Sequence, residues 1–110
     1  AYQKLATSDQ VISTLGKYQF QLVQAGCKLK IFQFNDVNYT YNQIDTYNPS
    51  LPDCASLNTS KGQVLTNTGK VFANLSSNDY ASSSLTIDDN GVIRLIGIKN
   101  NTSQYQLSQT

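Results

Sequence analysis

Apolar and polar side chains alternate with a period of two residues along several short segments of the chain. The segments Tyr18–Leu22 and Cys27–Ile31 both alternate in this way. Successive side chains of a β-strand point to opposite faces of a sheet, so each segment predicts a strand with one buried face. The residues between them, Gln24–Gly26, predict a tight turn. Together these segments predict a first hairpin, with Leu29 directed inward and Lys30 directed outward.

A second hairpin is predicted after Cys54. Ala55–Asn58 and Gln63–Thr66 predict its two strands, and Ser60–Gly62 predicts the turn that joins them. A further short strand is predicted over Lys70–Leu75.

A third hairpin is predicted around Asp89-Asn90-Gly91, a sequence that is typical of tight hairpin turns. Apolar side chains on both sides of this turn share one parity, so they line one face of the hairpin while Arg94 points to the other. These apolar residues are Leu85, Ile87, Ile93 and Leu95.

Two segments lack a clear apolar pattern. Asn42–Asp53, which contains two prolines, predicts a loop. Residues 99–110 form a polar tail, but Tyr105 and Leu107 alternate within it and predict an edge strand.

These elements predict an all-β fold in a single domain over residues 1–110, a length that suits one hydrophobic core. The turn glycines of the three hairpins, Gly26, Gly62 and Gly91, are separated by 36 and 29 residues. This spacing favours three hairpin-based sheets around one core. A β-sandwich is the alternative, because its hairpins recur at similarly short spacing.

The composition narrows the range of functions. Charged residues make up 14% of the chain and the formal net charge is +1, so no strong field favours nucleic acid or an anionic membrane. His and Glu are absent, which removes common general bases and any His partner for a nucleophilic Cys, so we expect no enzyme. A zinc site would need His or free thiolates, so we predict no metal and no cofactor. No apolar run is long enough to predict a membrane span.

The cysteines and the polar composition indicate an extracellular protein. Cys27 and Cys54 predict one disulfide. Two separate buried thiols are the alternative, but they would suit a cytosolic protein, which this composition does not suggest. The chain begins at Ala1 without a start Met, and we interpret it as a mature secreted product.

Five asparagines stand in the N-x-S/T pattern of N-glycosylation acceptors, a pattern that in secreted proteins marks surface positions. They are Asn38, Asn58, Asn74, Asn100 and Asn101. We predict that at least one of them carries sugar in a host that glycosylates.

The placement of the cysteines against the turn glycines resembles that of a known family. Val23–Phe32 is similar to the family's first hairpin turn with its half-cystine, and Cys54 precedes Gly62 as the family's second half-cystine precedes its next turn. Ile87–Gly97 resembles its last hairpin. The family is the bulb-type (monocot mannose-binding) lectins, and the resemblance covers roughly residues 11–98. It implies a β-prism of three four-stranded sheets and a dimer formed by exchange of the C-terminal strand.

The resemblance also implies where a sugar would bind. The family presents Gln, Asp, Asn and Tyr at alternate positions, once per sheet, to hydrogen-bond the hydroxyls of mannose. The corresponding ligand-binding positions at the third hairpin are Asp88, Asn90 and Val92, and the first hairpin retains Gln24. Val92 and Ile96 replace the family's Asn and Tyr, so we expect the sugar specificity to be altered or lost.

Two functional hypotheses remain open. The first is a secreted, non-catalytic carbohydrate-binding module whose partners are glycans. The second is a structural extracellular protein, such as a cell-surface, cell-wall or filament subunit, that assembles by strand exchange through residues 1–10 or 99–110. Glycan binding and assembly size discriminate between them.

Overall fold

The structure, a computed structural model, describes residues 4–7, 9–60, 62–75, 82–98 and 102–106. Within these ranges the chain forms eleven strands and no helix, and all strand pairs are antiparallel. The all-β prediction is therefore confirmed. The strands form three sheets, which we call the first, second and third sheets in the order of their central hairpins.

The first sheet has four strands in chain order: β2 (Gln10–Ile12), β3 (Tyr18–Val23), β4 (Lys28–Asn35) and β5 (Thr40–Tyr47). The central pair β3–β4 is the predicted first hairpin. Its register places Leu22 opposite Leu29, and both side chains are buried.

The second sheet also has four strands: β1 (Lys4–Ala6), β6 (Ser56–Ser60), β7 (Gln63–Thr66) and β8 (Val71–Asn74), in the order β1-β6-β7-β8. The pair β6–β7 is the predicted second hairpin, and β8 is the predicted short strand. The N-terminal strand β1 reaches this sheet by pairing with β6, far along the chain.

The third sheet has three described strands: β9 (Ser82–Ile87), β10 (Ile93–Ile98) and β11 (Thr102–Gln106), in the order β11-β10-β9. The predicted parity is confirmed, because the four apolar residues flanking the turn are at most 3% exposed. β11 lies in the predicted polar tail and pairs with β10 of the same chain. An edge strand is therefore present in the tail, although Leu107 lies outside the described residues.

Buried side chains from all three sheets belong to one hydrophobic cluster. Its largest fully buried members include Phe20 and Ile31 from the first sheet, Leu57 from the second, and Ile93 and Leu95 from the third. This shared core explains why three small sheets are stable together, since a single short sheet buries too little apolar surface to hold itself.

Each central hairpin turns at the predicted glycine. Gly26, Gly62 and Gly91 have φ angles of 75°, 86° and 82°, a region that residues with a Cβ rarely adopt. The threefold recurrence of glycine turns is therefore a feature of the backbone as well as of the sequence.

One prediction is wrong over part of its length. Residues 42–47 of the segment predicted as a loop belong to β5, and only residues 48–55 lie between strands. β5 is the outer strand of its sheet, and three of its central side chains, Asn42, Gln43 and Ile44, are exposed. An outer strand of this kind needs no alternation of buried residues, so it carries no period-two signal.

Candidate ligand-binding cleft

The turn between β9 and β10 is closed by its own backbone. The N–H of Gly91 donates to the carbonyl of Asp88 at 3.1 Å, and the N–H of Asp88 donates to the carbonyl of Val92 at 3.0 Å. With Gly91 at positive φ, this is a three-residue hairpin loop that ends in a glycine bulge.

The carboxylate of Asp88 is occupied within the same turn. Its Oδ1 accepts hydrogen bonds from the N–H groups of Asn90 (2.9 Å) and Val92 (3.0 Å). Its Oδ2 accepts from Nε of Arg94 at 3.0 Å, which also forms an ion pair. Asp88 therefore acts as an internal brace of the hairpin.

These contacts perturb the titration of Asp88. Partial burial of the carboxyl acts to raise its pKa, but the hydrogen bonds from Val92 and Asn90 and the interaction with Arg94 outweigh that effect. The net result is that the pKa of Asp88 lies below its ordinary value of 3.8. The charged form is the one that the turn stabilises.

The same turn packs against the first sheet. Oδ1 of Asp89 accepts a hydrogen bond from the N–H of Leu15 at 3.0 Å, across 74 residues of chain. Gly91 lies over the ring of Tyr18, so closely that a Cβ at this position would be 2.9 Å from the ring. Glycine is required here both for its backbone angle and for this approach.

A surface cleft of about 420 Å³ lies where this turn meets the first sheet. That volume falls in the range of roughly 300–1,000 Å³ typical of small-molecule sites. Five of the six lining residues come from the first sheet and its turns, and one comes from the β9–β10 turn. They are Lys17, Tyr18, Gln33, Phe34, Asp36 and Asp89.

Hydrogen bonds and ring contacts fix the walls of the cleft. Nε2 of Gln33 donates to the hydroxyl of Tyr18 at 3.2 Å, between residues that are cross-strand partners. The N–H of Phe34 donates to the carbonyl of Lys17 at 2.8 Å. Phe34 is 36% exposed, and its ring meets that of Tyr41 edge-on, with ring centroids 5.3 Å apart. The cleft thus combines an accessible aromatic face with amide and charged groups.

The ligand-binding residues that the resemblance implied lie in two separate places. Asp88, Asn90 and Val92 share the β9–β10 turn, where the Asn90 side chain is exposed and Val92 is half-buried. Gln24 is also exposed, but it follows the far end of β3, roughly 20 Å along the strand from Tyr18. None of these four residues is among the residues that line the cleft.

The turn that holds Gln24 is anchored by the disulfide. Cys27 and Cys54 are bonded, with their Cα atoms 5.1 Å apart, so the predicted disulfide is confirmed. The carbonyl of Gln24 accepts from the N–H groups of both cysteines, each at 3.1 Å. In the chain-entropy account, closing a loop with a sequence separation of 27 contributes about 3–4 kcal/mol to stability. The disulfide and these two hydrogen bonds therefore stabilise this end of the β3–β4 hairpin.

Three of the five predicted glycosylation sites can be placed. Asn38 lies in the β4–β5 turn, Asn58 in β6 and Asn74 in β8, and all three side chains are exposed. Oδ1 of Asn38 accepts a hydrogen bond from the hydroxyl of Thr40 at 2.9 Å. Asn100 and Asn101 lie outside the described residues.

Neither a cluster of metal-binding side chains nor a membrane-spanning helix is found among the described residues. No group of three or more His, Cys, Asp or Glu side chains there is arranged to hold a metal ion. None of the described segments forms an apolar helix of the length that crossing a bilayer requires.

Sequence reasoning missed the cleft as a site, although part of it was within reach. The turn of the first hairpin sets its register, and that register places Tyr18 opposite Gln33. The approach of Asp89 joins residues from two different sheets, which no local pattern signals. Asp36 lies in a turn next to a segment that predicted a loop.

No family model matches the chain, and neither a curated protein nor a solved structure matches it. The functional proposal below therefore rests on the residues of this chain.

Proposed function

We propose that this protein is a secreted, non-catalytic carbohydrate-binding module of lectin type, with the cleft beside the β9–β10 turn as its binding site. The observation that carries the proposal is the lining of the cleft. Tyr18 and Phe34 offer apolar ring surface, while Gln33 and Asp36 offer hydrogen-bonding groups within the same small volume. A sugar ring has this combination of an apolar face and polar edges.

The proposed architecture is a β-prism. It is supported by three sheets with one shared core and by the glycine turn at the centre of each sheet. The β9–β10 turn packs against Tyr18 at the start of β3, so the third and first sheets meet at this corner of the proposed prism. A site at this corner uses residues of two sheets.

Each lining group has a role in the proposal. The ring of Phe34 stacks on the C–H face of a pyranose. The amide of Gln33 and the carboxylate of Asp36 hydrogen-bond adjacent hydroxyls, because an amide both donates and accepts while a carboxylate accepts. Lys17 donates to a ring or hydroxyl oxygen. Recognition needs no bond to be broken, which agrees with an expected absence of catalysis.

The residues of the third hairpin take different roles from those that the lectin resemblance implied. Asp88 braces the turn, since both of its oxygens already accept hydrogen bonds. Asn90 is exposed at the turn and supplies a rim contact to a longer glycan. Val92 offers apolar contact, and Gln24 belongs to a different surface. The sugar specificity therefore differs from that of mannose-binding lectins.

A glycan array tests the proposal on the natively secreted, disulfide-bonded protein. Gln33→Ala and Gln24→Ala form a matched pair, because both remove an exposed amide from the β3–β4 hairpin, one in its strand and one in its turn. We expect binding to at least one glycan, with at least a tenfold loss, or about 1.4 kcal/mol, for Gln33→Ala and none for Gln24→Ala. Loss of glycan binding only with Gln24→Ala would place the site at the far end of β3 instead of at the cleft. An array on which the folded protein binds no glycan would overturn the carbohydrate-binding function.

A second candidate is the structural, self-assembling role. The third sheet has three described strands where the other two have four, and no described strand pairs with the outer edge of β9. An open edge accepts a strand from another chain. In this candidate residues 1–10 or 99–110 of one copy pair with a sheet of another copy, either at the edge of β9 or in exchange for the equivalent strand, and the protein forms a homo-oligomer or filament.

Size-exclusion chromatography with light scattering tests that candidate. Strand exchange predicts assemblies that disappear when residues 99–110 or residues 1–10 are removed. In the described structure β11 pairs with β10 of its own chain, so exchange would replace that pairing with an equivalent one between copies. Truncated chains that assemble like the full chain would contradict strand exchange.

A further inference from the structure

The cleft carries an excess of negative charge, although the chain as a whole has a net charge of +1. Two of its lining residues, Asp36 and Asp89, are carboxylates, and Lys17 is the single cation among the lining residues. The lining of the cleft is thus acidic within a weakly basic protein.

Neither cleft carboxylate is neutralised within the described part of the chain. The one ion pair among the described residues joins Asp88 to Arg94, and Lys17 lies beyond 4.0 Å of both Asp36 and Asp89. One oxygen of Asp89 accepts the N–H of Leu15, and this bond holds the carboxylate in place without cancelling its charge. Asp36 is exposed in the β4–β5 turn. Both charges are available to a ligand.

Aromatic rings stand in the same cleft as these carboxylates. Phe34 is exposed, and the electron-rich face of an aromatic ring attracts cations that lie within about 6 Å of the ring centre. Carboxylates beside aromatic faces favour a ligand that presents an ammonium group on an otherwise sugar-like body. A neutral sugar would leave the negative charges without a partner.

We propose that the cleft selects an amine-bearing saccharide, such as a glucosamine oligosaccharide, over its N-acetylated or neutral counterpart. This inference rests on the proposed carbohydrate-binding function and specifies its ligand class. Asp36 and Asp89 meet the ammonium group, the ring of Phe34 stacks on the pyranose, and Gln33 bonds a neighbouring hydroxyl. Lys17 donates to a sugar oxygen as before, a role that a Gln side chain also fills, but its positive charge repels the ammonium and limits the affinity.

The test compares two ligands that differ only at nitrogen: a glucosamine hexasaccharide and an N-acetylglucosamine hexasaccharide. Isothermal titration calorimetry is run at about pH 5.5, where the amines of the glucosamine hexasaccharide are largely protonated. We expect the free amine to bind about fivefold tighter, the size of a partly exposed charge contact. Added salt should weaken binding of the amine and leave binding of the acetylated sugar unchanged.

Charge variants with matched controls assign the effect to the cleft. Asp36→Asn should bring the ratio of the two affinities close to one. Lys17→Gln should tighten binding of the amine about two- to fivefold. Lys70→Gln is the control, because it changes the net charge by the same amount from an exposed position in the β7–β8 turn, outside the cleft lining. It should leave the ratio unchanged.

The outcomes separate this inference from the function on which it rests. Equal binding of the two hexasaccharides, or an equal response to Lys17→Gln and Lys70→Gln, would overturn the amine preference and leave a neutral-sugar lectin. Failure of both hexasaccharides and of every glycan on an array, with the protein shown to be folded, would overturn the carbohydrate-binding function itself.

Discussion

The β9–β10 turn and the β4–β5 turn each contribute one carboxylate to the cleft, Asp89 and Asp36. The first turn is held by long-range contacts, through the N–H of Leu15 and the ring of Tyr18. The second turn is held by local hydrogen bonds, such as that from the N–H of Val37 to Asn35 at 2.9 Å. Its tip is open to solvent, with Val37 85% exposed.

The contrast shows that residue type alone does not mark a binding site. The Asp-Asp-Asn-Gly sequence has the polar groups of a sugar site, yet most of its hydrogen-bonding capacity is used inside the protein. The β4–β5 turn has less obvious chemistry, but its groups face solvent. One wall of the cleft is therefore fixed by contacts with the first sheet, and the other is held by hydrogen bonds within its own turn.

The largest expected difference concerns the glycines. Gly91→Ala places a methyl group against Tyr18 and also strains a backbone with φ of +82°. Gly69→Ala has the same backbone problem at φ of +84°, but nothing lies within 4 Å of the new Cβ. We expect chemical denaturation to show losses of about 2–4 kcal/mol for Gly91→Ala and about 1–2 kcal/mol for Gly69→Ala. Equal losses would mean that the turn does not depend on Tyr18.

The next effect concerns two aspartates that each directly follow a strand: Asp88 after β9 and Asp36 after β4. Asp88→Ala removes the acceptor of three hydrogen bonds and should lower the free energy of unfolding by about 1–2 kcal/mol. Asp36→Ala removes an exposed side chain and should change it by less than about 0.5 kcal/mol. Urea denaturation of the two variants checks this. A larger loss of unfolding free energy for Asp36→Ala than for Asp88→Ala would contradict a structural role for Asp88 and a binding role for Asp36.

A smaller effect should appear in acid. The pKa of Asp88 is lower in the folded protein than its ordinary value of 3.8, so the unfolded chain binds this proton more readily. The stability that Asp88 contributes is therefore fully present above about pH 4–5 and is lost as the pH falls through the folded-state pKa. Thermal unfolding between about pH 5 and pH 2 should show a shallower decline for Asp88→Asn than for the wild type. Parallel declines would mean that Asp88 does not contribute.

The smallest effect is expected at the tip of the β4–β5 turn. Val37→Ser changes a side chain that is 85% exposed, so the free energy of unfolding should move by less than about 0.5 kcal/mol in either direction. Thermal unfolding checks this. A loss above about 1 kcal/mol would show that the tip is buried in the protein as it exists in solution.

The sequence predicted most of the fold where a strand buries one face. The parity of Leu85 with Ile93 and of Leu29 with Ile31 placed the core side chains correctly, because burial imposes a period of two. β5 was missed since its central residues are exposed, and nothing in its local pattern requires a strand. β1 and β2 are only three residues long and are defined by pairing with distant segments.

The site was harder to predict than the fold. A disulfide between Cys27 and Cys54 follows from counting cysteines, whereas the contact of Asp89 with Leu15 depends on how two sheets pack. The resemblance to lectins directed attention to Asp88, whose role in the hairpin is structural. Lys17, Gln33 and Phe34 come together only once the hairpin register and the position of the third sheet are known.

The most direct test of where ligands bind is a protein-observed NMR titration with the glucosamine hexasaccharide. A cleft site predicts chemical-shift changes at the backbone amides of Lys17, Phe34 and Asp36 and at the side-chain amide of Gln33. The amides of Gln24 and its neighbours, at the far end of β3, should not move. Shifts confined to residues 24–28, or no shifts at saturating sugar, would contradict a ligand site between the two turns.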